Sequence, residues 1–173
     1  MNIRYLLLSA ILLGTNALIA QPALRKNDFA IKFIAIDGSI DSVFSHLGKP
    51  IRMGFVEDDE VGGFETYYYP GLIVWAEKPT HKISSFDVTN RRYSTIRGVK
   101  IGDSVSIVAK YYGRRRSEDY FERLHDNYDK AFNAFDEVKG YESYIPKDGV
   151  FYLTFFFQKG VLVKIYMHKG LGC

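Results

Sequence analysis

The side chains of this 173-residue chain that could do chemistry are four histidines, one cysteine and two short charged runs. Histidine is a general base and a zinc ligand, but no two of these stand at the i, i+4 spacing that places two ligands on one helix face. They are His46, His81, His125 and His168. An enzyme would need at least two histidines or carboxylates to converge in one cleft. We therefore predict a non-enzymatic protein with no metal, no cofactor and no catalytic residue.

The two charged runs are candidates for binding an ion or orienting a partner. They are Glu57, Asp58, Asp59, Glu60 and Arg114, Arg115, Arg116. The acidic run lacks the alternating ligands and the turn glycine of a calcium loop, so a solvated loop is the simpler interpretation. The arginines could hold a phosphate or carboxylate in bidentate fashion, although such a triplet is usually a solvated turn. As a functional alternative, both runs would orient a protein partner at the rim of a binding surface.

Composition bounds the class of protein. With 47% hydrophobic and 25% charged residues, the chain is long enough to bury a core and does not have the composition of a disordered protein. A net charge of +3 is too balanced for a protein whose main partner is nucleic acid. The single cysteine, Cys173, excludes internal disulfides and every metal site built from several cysteines.

The first twenty residues have the pattern of a secretory signal peptide. Arg4 supplies the positive start, an apolar run covers residues 6–13, and cleavage near Ala20/Gln21 follows small residues. The apolar run is too short to cross a bilayer, and an uncleaved anchor is the alternative. We expect a periplasmic or secreted protein with no stable membrane anchor after cleavage.

An internal repeat organises the remaining chain. Residues 36–48 align with residues 101–113 without a gap, and each segment predicts a short helix. Ser39 and Ser104 are at the positions of N-caps, and Gly48 and Gly113 are at the positions where the helices end. A second pair of phrases, residues 63–70 and 140–146, repeats Gly, an aromatic residue, Glu, Tyr and Pro in the same order.

Short alternating runs separated by turn residues predict antiparallel strands after each helix. The predicted strands are 64–69, 72–77, 82–89, 141–145, 150–158 and 161–168, with a leading strand over 26–36 and a longer helix over 117–138. The predicted fold class is therefore α+β, with two tandem repeats. In each repeat, short helices pack on one face of an antiparallel meander sheet. After the signal peptide, the repeats are residues 21–97 and 98–173.

Alternation along the strands places an aromatic set on the face opposite the helices. The predicted partner-binding residues are Tyr67, Tyr69, Trp75, Tyr144, Tyr152, Phe156 and Tyr166. A solvated face would carry Lys, Glu and Thr, whereas Tyr and Trp are enriched at protein interfaces. Packing against another part of the same chain and a simple strand preference for Tyr are the alternatives.

The order of these features resembles a known family. A leader, followed by two copies of a short helix ending in Gly and an aromatic strand phrase, resembles the tandem-repeat fold of the β-lactamase inhibitor proteins. Residues 98–113 are also similar to the opening of small bacterial envelope proteins related to the outer-membrane assembly lipoprotein. The resemblance implies a scaffold that binds proteins through one face of a curved sheet. The chain lacks the inhibitors' disulfides and the lipoproteins' acylated cysteine, so neither target is transferred.

The sequence therefore predicts an exported protein that binds another envelope or extracellular protein, and neither nucleic acid nor membrane. Inhibition of a secreted hydrolase and a role as an envelope-assembly accessory are two forms of this function. A small-ligand or glycan binder is the rival class, since Tyr and Trp also stack on sugars when they line a concavity.

Overall fold

A computed structural model of the protein describes residues 23–57, 62–113, 137–145 and 149–170. These residues form two α-helices and two antiparallel sheets, so the α+β class is confirmed. Neither eight-residue helix of this part of the chain could cross a membrane. The predicted signal peptide, residues 58–60 of the acidic run and the arginine triplet lie outside the described residues. Residues 117–136 of the predicted helix over 117–138 also lie outside the described residues.

The elements follow one another in the order small hairpin, helix, four strands, helix, three strands. A 3-10 turn, Lys26–Asp28, precedes them. The strands are β1 (Ala30–Ile31), β2 (Ile34–Ala35), β3 (Arg52–Val56), β4 (Phe64–Tyr69), β5 (Leu72–Glu77), β6 (Ile83–Val88), β7 (Glu137–Ile145), β8 (Gly149–Gln158) and β9 (Val161–Gly170). The helices are α1 (Ile40–Leu47) and α2 (Val105–Tyr112).

Two local predictions are wrong, and one strand was not predicted. The leading strand over 26–36 is interrupted, because Lys32 at φ 44 turns the chain into the β1–β2 hairpin. Glu137 and Val138 belong to β7 and not to the end of a helix. Strand β3 was not predicted, because its residues lie on an exposed edge and do not alternate between apolar and polar.

Both helices begin and end as predicted. The side chain of Ser39 accepts a hydrogen bond from the Asp41 N–H at 3.1 Å, and Ser104 accepts one from Ile107 at 3.4 Å. Gly48 and Gly113 end the helices at φ 75 and φ 87, in the left-handed region that favours glycine.

The large sheet has the strand order β3-β4-β5-β6-β9-β8-β7, and every neighbouring pair in it is antiparallel. Strand β6 pairs directly with β9, with Phe86 opposite Met167 and Val88 opposite Ile165. The strands that precede and follow α2 therefore form one continuous sheet.

Matching hydrogen bonds tie the start of each helix to the central strands. The N–H of Asp37 donates to Ile83 and the N–H of Gly102 donates to Leu162, both at 2.8 Å. In return, Ile83 donates to the carbonyl of Gly38 and Leu162 donates to that of Asp103. At the helix ends, the hydroxyls of Tyr69 and Tyr141 donate to the carbonyls of Gly48 and Gly113.

Both helices cover the same face of the large sheet, which we call the core face. Phe44 of α1 packs edge-on against Tyr67 of β4 at 5.2 Å. Tyr112 of α2 packs against Phe155 of β8 at 5.0 Å. Buried side chains of the central strands continue this layer, including Val74, Phe86, Leu153, Ile165 and Met167.

Candidate functional site: the aromatic sheet face

The side of the large sheet that faces away from both helices carries a set of rings, and we call it the aromatic face. The strand registers define its membership, because directly opposed residues of an antiparallel pair point to the same side. Its aromatic members with described side chains are Phe64, Tyr68, Trp75, Tyr152, Phe156 and Tyr166. All are half-buried except Phe156, which is 4% exposed.

The predicted places of Tyr67 and Tyr69 are wrong. Both lie in the core, opposite Val74 and Leu72 respectively, and are 2% and 5% exposed. The two-residue turn between β4 and β5 sets this register, because it makes the last residue of β4 the direct neighbour of the first residue of β5. Tyr68, which the sequence analysis did not select, lies on the aromatic face in their place.

Four of the predicted binding residues do share the aromatic face: Trp75, Tyr152, Phe156 and Tyr166. Tyr144 is paired with Val150 through its backbone, and its side chain lies outside the described part of the structure. Of the predicted rim residues, Glu57 is exposed just after β3. Asp58, Asp59, Glu60 and the three arginines lie outside the described residues.

A β-bulge corrects one further assignment. The register between β8 and β9 shifts between Phe156 and Phe157, so that Phe156 faces Lys164 and Phe157 faces Leu162. Simple alternation from Tyr166 through Lys164 would place Leu162 on the aromatic face, but Leu162 is fully buried in the core. One extra residue in a strand reverses the face of everything beyond it.

A stack of three rings forms the centre of the aromatic face in β8 and β9. The imidazole of His168 lies between two tyrosine rings, with centroids 4.7 Å from Tyr152 and 4.8 Å from Tyr166. The rings are nearly parallel, at 16° and 19°. His168 was not among the predicted binding residues, although it stands two positions after Tyr166 in the same strand and therefore shares its face.

One ion pair lies beside this stack. The ammonium of Lys164 is 2.9 Å from Oδ2 of Asp87 and lies over the rings of Phe156 and Tyr166 at 5.3 and 5.5 Å. Burial raises the pKa of Asp87, and the positive charge of Lys164 opposes that shift. Oδ1 of Asp87 is buried and has no hydrogen-bond partner among the described residues.

His168 is expected to make stability depend on pH. Burial lowers its pKa from the usual 6.5 to about 4, so the folded protein holds the neutral ring at neutral pH. Because the unfolded chain binds the proton more tightly, the free energy of unfolding is fully retained above about pH 6.5 and falls towards pH 4. Replacement by phenylalanine keeps a ring in the stack and removes the titration.

Urea unfolding of the wild type and His168→Phe across this pH range tests the effect. We expect the variant to lose less stability than the wild type on acidification. Equal losses in the two proteins would show that His168 does not titrate as its burial implies.

The described residues include no group of three or more His, Cys, Asp or Glu side chains placed to hold a metal ion. The described part of the aromatic face offers apolar ring surface, the cations of Arg52 and Lys164, and the carboxylates of Glu77 and Asp87, of which Asp87 is only partly satisfied. This arrangement can bind a partner by stacking and hydrogen bonding. Comparison of the chain with protein-family models, with curated proteins and with solved structures finds no match.

Proposed function

We propose that this protein is a non-enzymatic binding protein that captures another protein on its aromatic face. The observation that carries the proposal is the position of the rings, on the side of the sheet that faces away from both described helices. Trp75 and Tyr166 are half-buried there, so each presents part of its ring to the surface. Tyr and Trp contribute large rigid contact area at little entropic cost, which makes them frequent hot spots of binding.

The charges on this face would orient the partner. Lys164 lies over two rings and is already paired with Asp87, so a docking surface would desolvate an ion pair and not an isolated charge. Exposed Glu57 at the end of β3 would contribute at the rim. These features favour a partner with an apolar centre and a mixed-charge periphery.

We also propose that the scaffold is a tandem repeat, with residues 21–97 and 98–173 as the two copies. The matched hydrogen bonds at the helix starts support this, since they occupy equivalent positions in the gapless alignment of the two helix segments. Both halves also carry a bulge directly after an aromatic residue, at Trp75 and at Phe156. In this arrangement Tyr69 and Tyr141 are equivalent, because each hydroxyl donates to the carbonyl of the glycine that ends its helix. The alignment of the two strand phrases pairs Tyr141 with Phe64 instead, so the proposed repeat does not keep that alignment.

The cellular setting is part of the same proposal. The signal-peptide pattern over residues 1–20 favours a periplasmic or secreted protein and a partner from the envelope or the extracellular space. A scaffold of the β-lactamase inhibitor type would suit inhibition of a secreted hydrolase or a role as an envelope-assembly accessory. Neither target is assigned.

Alanine variants of the half-buried rings test the binding role. We expect Trp75→Ala and Tyr166→Ala each to weaken capture of a partner from envelope extract by about tenfold or more, as loss of a hot spot does. Quantitative mass spectrometry of the captured proteins would measure this. Tyr67 is unsuitable for the test, because it is a core residue and its replacement would destabilise the fold.

Tyr111→Ala is the matched control, since Tyr111 is 39% exposed on α2, on the opposite side of the sheet. It should leave capture unchanged. Folded Trp75→Ala and Tyr166→Ala proteins that capture the same partners as the wild type would remove the proposal.

A glycan or other small polar ligand is the second candidate. It is favoured by buried polar atoms on the same face, since Oδ1 of Asp87 and Oγ1 of Thr154 have no hydrogen-bond partner among the described residues. Because both atoms are buried, a sugar would have to displace the side chains that cover them before its hydroxyls could bond to them, while its pyranose ring stacks on Tyr152 or Tyr166. Binding on a glycan array that is lost in Asp87→Asn and Tyr166→Ala, with no protein captured, would select this candidate.

A further inference from the structure

Strand β3 forms one end of the large sheet and exposes an unusual amount of apolar surface. It is the first strand in the order and, among the described strands, it pairs only with β4. Four apolar side chains of this edge are largely exposed: Ile51 at 75%, Met53 at 58%, Val56 at 56% and Phe55 at 49%. An edge of this kind offers both backbone hydrogen-bonding groups and apolar contacts to another strand.

The edge lacks the usual features that prevent strand addition. Native edges are protected by proline, bulges or outward charges, whereas β3 contains no proline and pairs with β4 without a register shift. Its one charged side chain, Arg52, is drawn onto the ring of Tyr68 at 3.9 Å. Pairing with a further strand would therefore meet no obstacle from the edge itself.

We propose that β3 pairs antiparallel with β3 of a second copy of this chain, centred on Gly54. In that register Met53 stands opposite Phe55 of the second copy, and the reverse contact forms by symmetry. Both residues belong to the core-face side of β3, since they oppose Tyr67 and Glu65 of β4. These two apolar cross-strand pairs would cover Met53 and Phe55 of both copies.

The charges near this edge fit a second copy. Arg52 would oppose Val56, so no like charges stand directly opposite each other. Glu57 would oppose Ile51 of the second copy and would reach Lys49 along the diagonal, within the range of long side chains. Lys49 and Glu57 are both exposed in the single chain. This complementarity of charge between Lys49 and Glu57 lies within one chain, so it favours a second copy over a strand of an unrelated protein.

Gly54 leaves room at the centre of the interface. Gly54 has no side chain that would project from the aromatic face into the contact between the two copies. The ring of Tyr68 lies next to it, and a Cβ at position 54 would be 3.7 Å from that ring. Helix α1 packs over β4, and the two β4 strands would be three strand spacings apart, or about 14 Å. Two helices fit side by side at that distance.

The symmetry has a consequence for the surface of the assembly. A two-fold axis perpendicular to the sheet keeps each face on its own side, so the aromatic faces of both copies would lie on the same side of one continuous sheet. The inference itself rests on the β3 edge and does not depend on the proposed function of those faces.

A disulfide test addresses the register directly. In a Cys173→Ser background, which removes the only native thiol, Gly54→Cys should form a disulfide-linked dimer on mild oxidation. Opposed residues of an antiparallel pair have Cα atoms about 5 Å apart, within disulfide range. Ile51→Cys is the control, because it is more exposed, yet its symmetry mate would be about 20 Å away along the strand.

Sedimentation of the purified protein, without added cysteines, tests the dimer itself. We expect a concentration-dependent dimer that Met53→Lys weakens at least tenfold and that Ile107→Lys on α2 leaves unchanged. Lys49→Glu should weaken it, and Lys49→Glu combined with Glu57→Lys should restore it. The proposal would be overturned if the wild type stayed monomeric at high concentration, or if the Gly54→Cys and Ile51→Cys proteins crosslinked equally. A monomeric wild type would indicate that β3 pairs with a strand of another protein instead.

Discussion

Replacing Arg97 by alanine is expected to lower the free energy of unfolding by about 3 to 5 kcal/mol. Arg97 forms two charge-assisted hydrogen bonds with Asp28, from Nε to Oδ1 and from Nη2 to Oδ2, both at 2.6 Å. The side chains of this pair are only 17% and 8% exposed. Without the guanidinium, the carboxylate of Asp28 would remain buried and unpaired, and the cost of that state dominates the expected loss.

Arg97 also holds together three parts of the chain that are distant in sequence. Nη1 donates to the carbonyl of Tyr111 at 2.8 Å and Nη2 to that of Ala23 at 3.2 Å, while the guanidinium lies over the ring of Tyr112. The start of the described chain, the segment before α2 and α2 itself therefore meet at one side chain. Alanine would remove all of these contacts together.

Arg91→Ala is the matched control. Arg91 also faces an aspartate, Asp103, but at 3.7 Å and with its own side chain 65% exposed. Surface pairs of this type contribute about 1 kcal/mol or less. Chemical denaturation of both variants gives the comparison, and equal losses would contradict the assigned importance of the Asp28–Arg97 pair.

The effect of Arg97 should also depend on pH. Burial alone would raise the pKa of Asp28, but the bonds from Arg97 and the Arg25 N–H outweigh it, so the pKa lies below the usual value. The pair therefore stabilises the fold above about pH 4, and this stabilisation is lost as the pH falls through the lowered folded value. The difference in the free energy of unfolding between the wild type and Arg97→Ala should therefore become smaller as the pH is lowered below about 4.

The helices and most strands could be predicted because local chemistry specifies them. A serine cap and a closing glycine define each helix, and Pro70-Gly71 and Lys159-Gly160 mark tight turns between strands. The β6–β9 pair could not be predicted in this way. It joins Asp87 to Tyr166 across a long stretch of chain, and hence the ion pair of Asp87 with Lys164 has no sequence signal.

The candidate site was predictable only in part, because a single inserted residue in a strand changes the side of the sheet to which the following side chains point. Trp75 and Tyr152 were placed correctly, since their strands alternate without interruption up to those positions. Alternation assigns Leu162 to the wrong face of the sheet, because it cannot detect the bulge that precedes the Leu162–Phe157 pair. For Tyr69 a signal did exist: a two-residue turn makes it the direct neighbour of Leu72, so the two must share a face.

Replacing Tyr67 by alanine is expected to cost about 3 to 5 kcal/mol of stability, as truncation of a buried aromatic residue does. Its ring packs edge-on against Phe44 of α1, and its hydroxyl donates to Oε2 of Glu65 at 2.6 Å. Burial, followed by the bond to this carboxylate, raises the pKa of the Tyr67 hydroxyl and keeps it a donor. Truncation would leave a cavity between α1 and the sheet and would deprive Glu65 of its donor.

The adjacent tyrosine supplies the control, because Tyr68 points to the other side of the same strand. Tyr68 is half-buried and supports Arg52 at 3.9 Å, so its replacement by alanine should cost only about 1 kcal/mol. Urea unfolding of the two variants measures the difference. Two neighbouring residues of the same type would then differ several-fold in their effect on stability, solely because of the face to which each belongs. Equal losses, or a larger loss for Tyr68→Ala, would reverse the assignment of the faces of β4 and would return Tyr67 to the candidate binding surface.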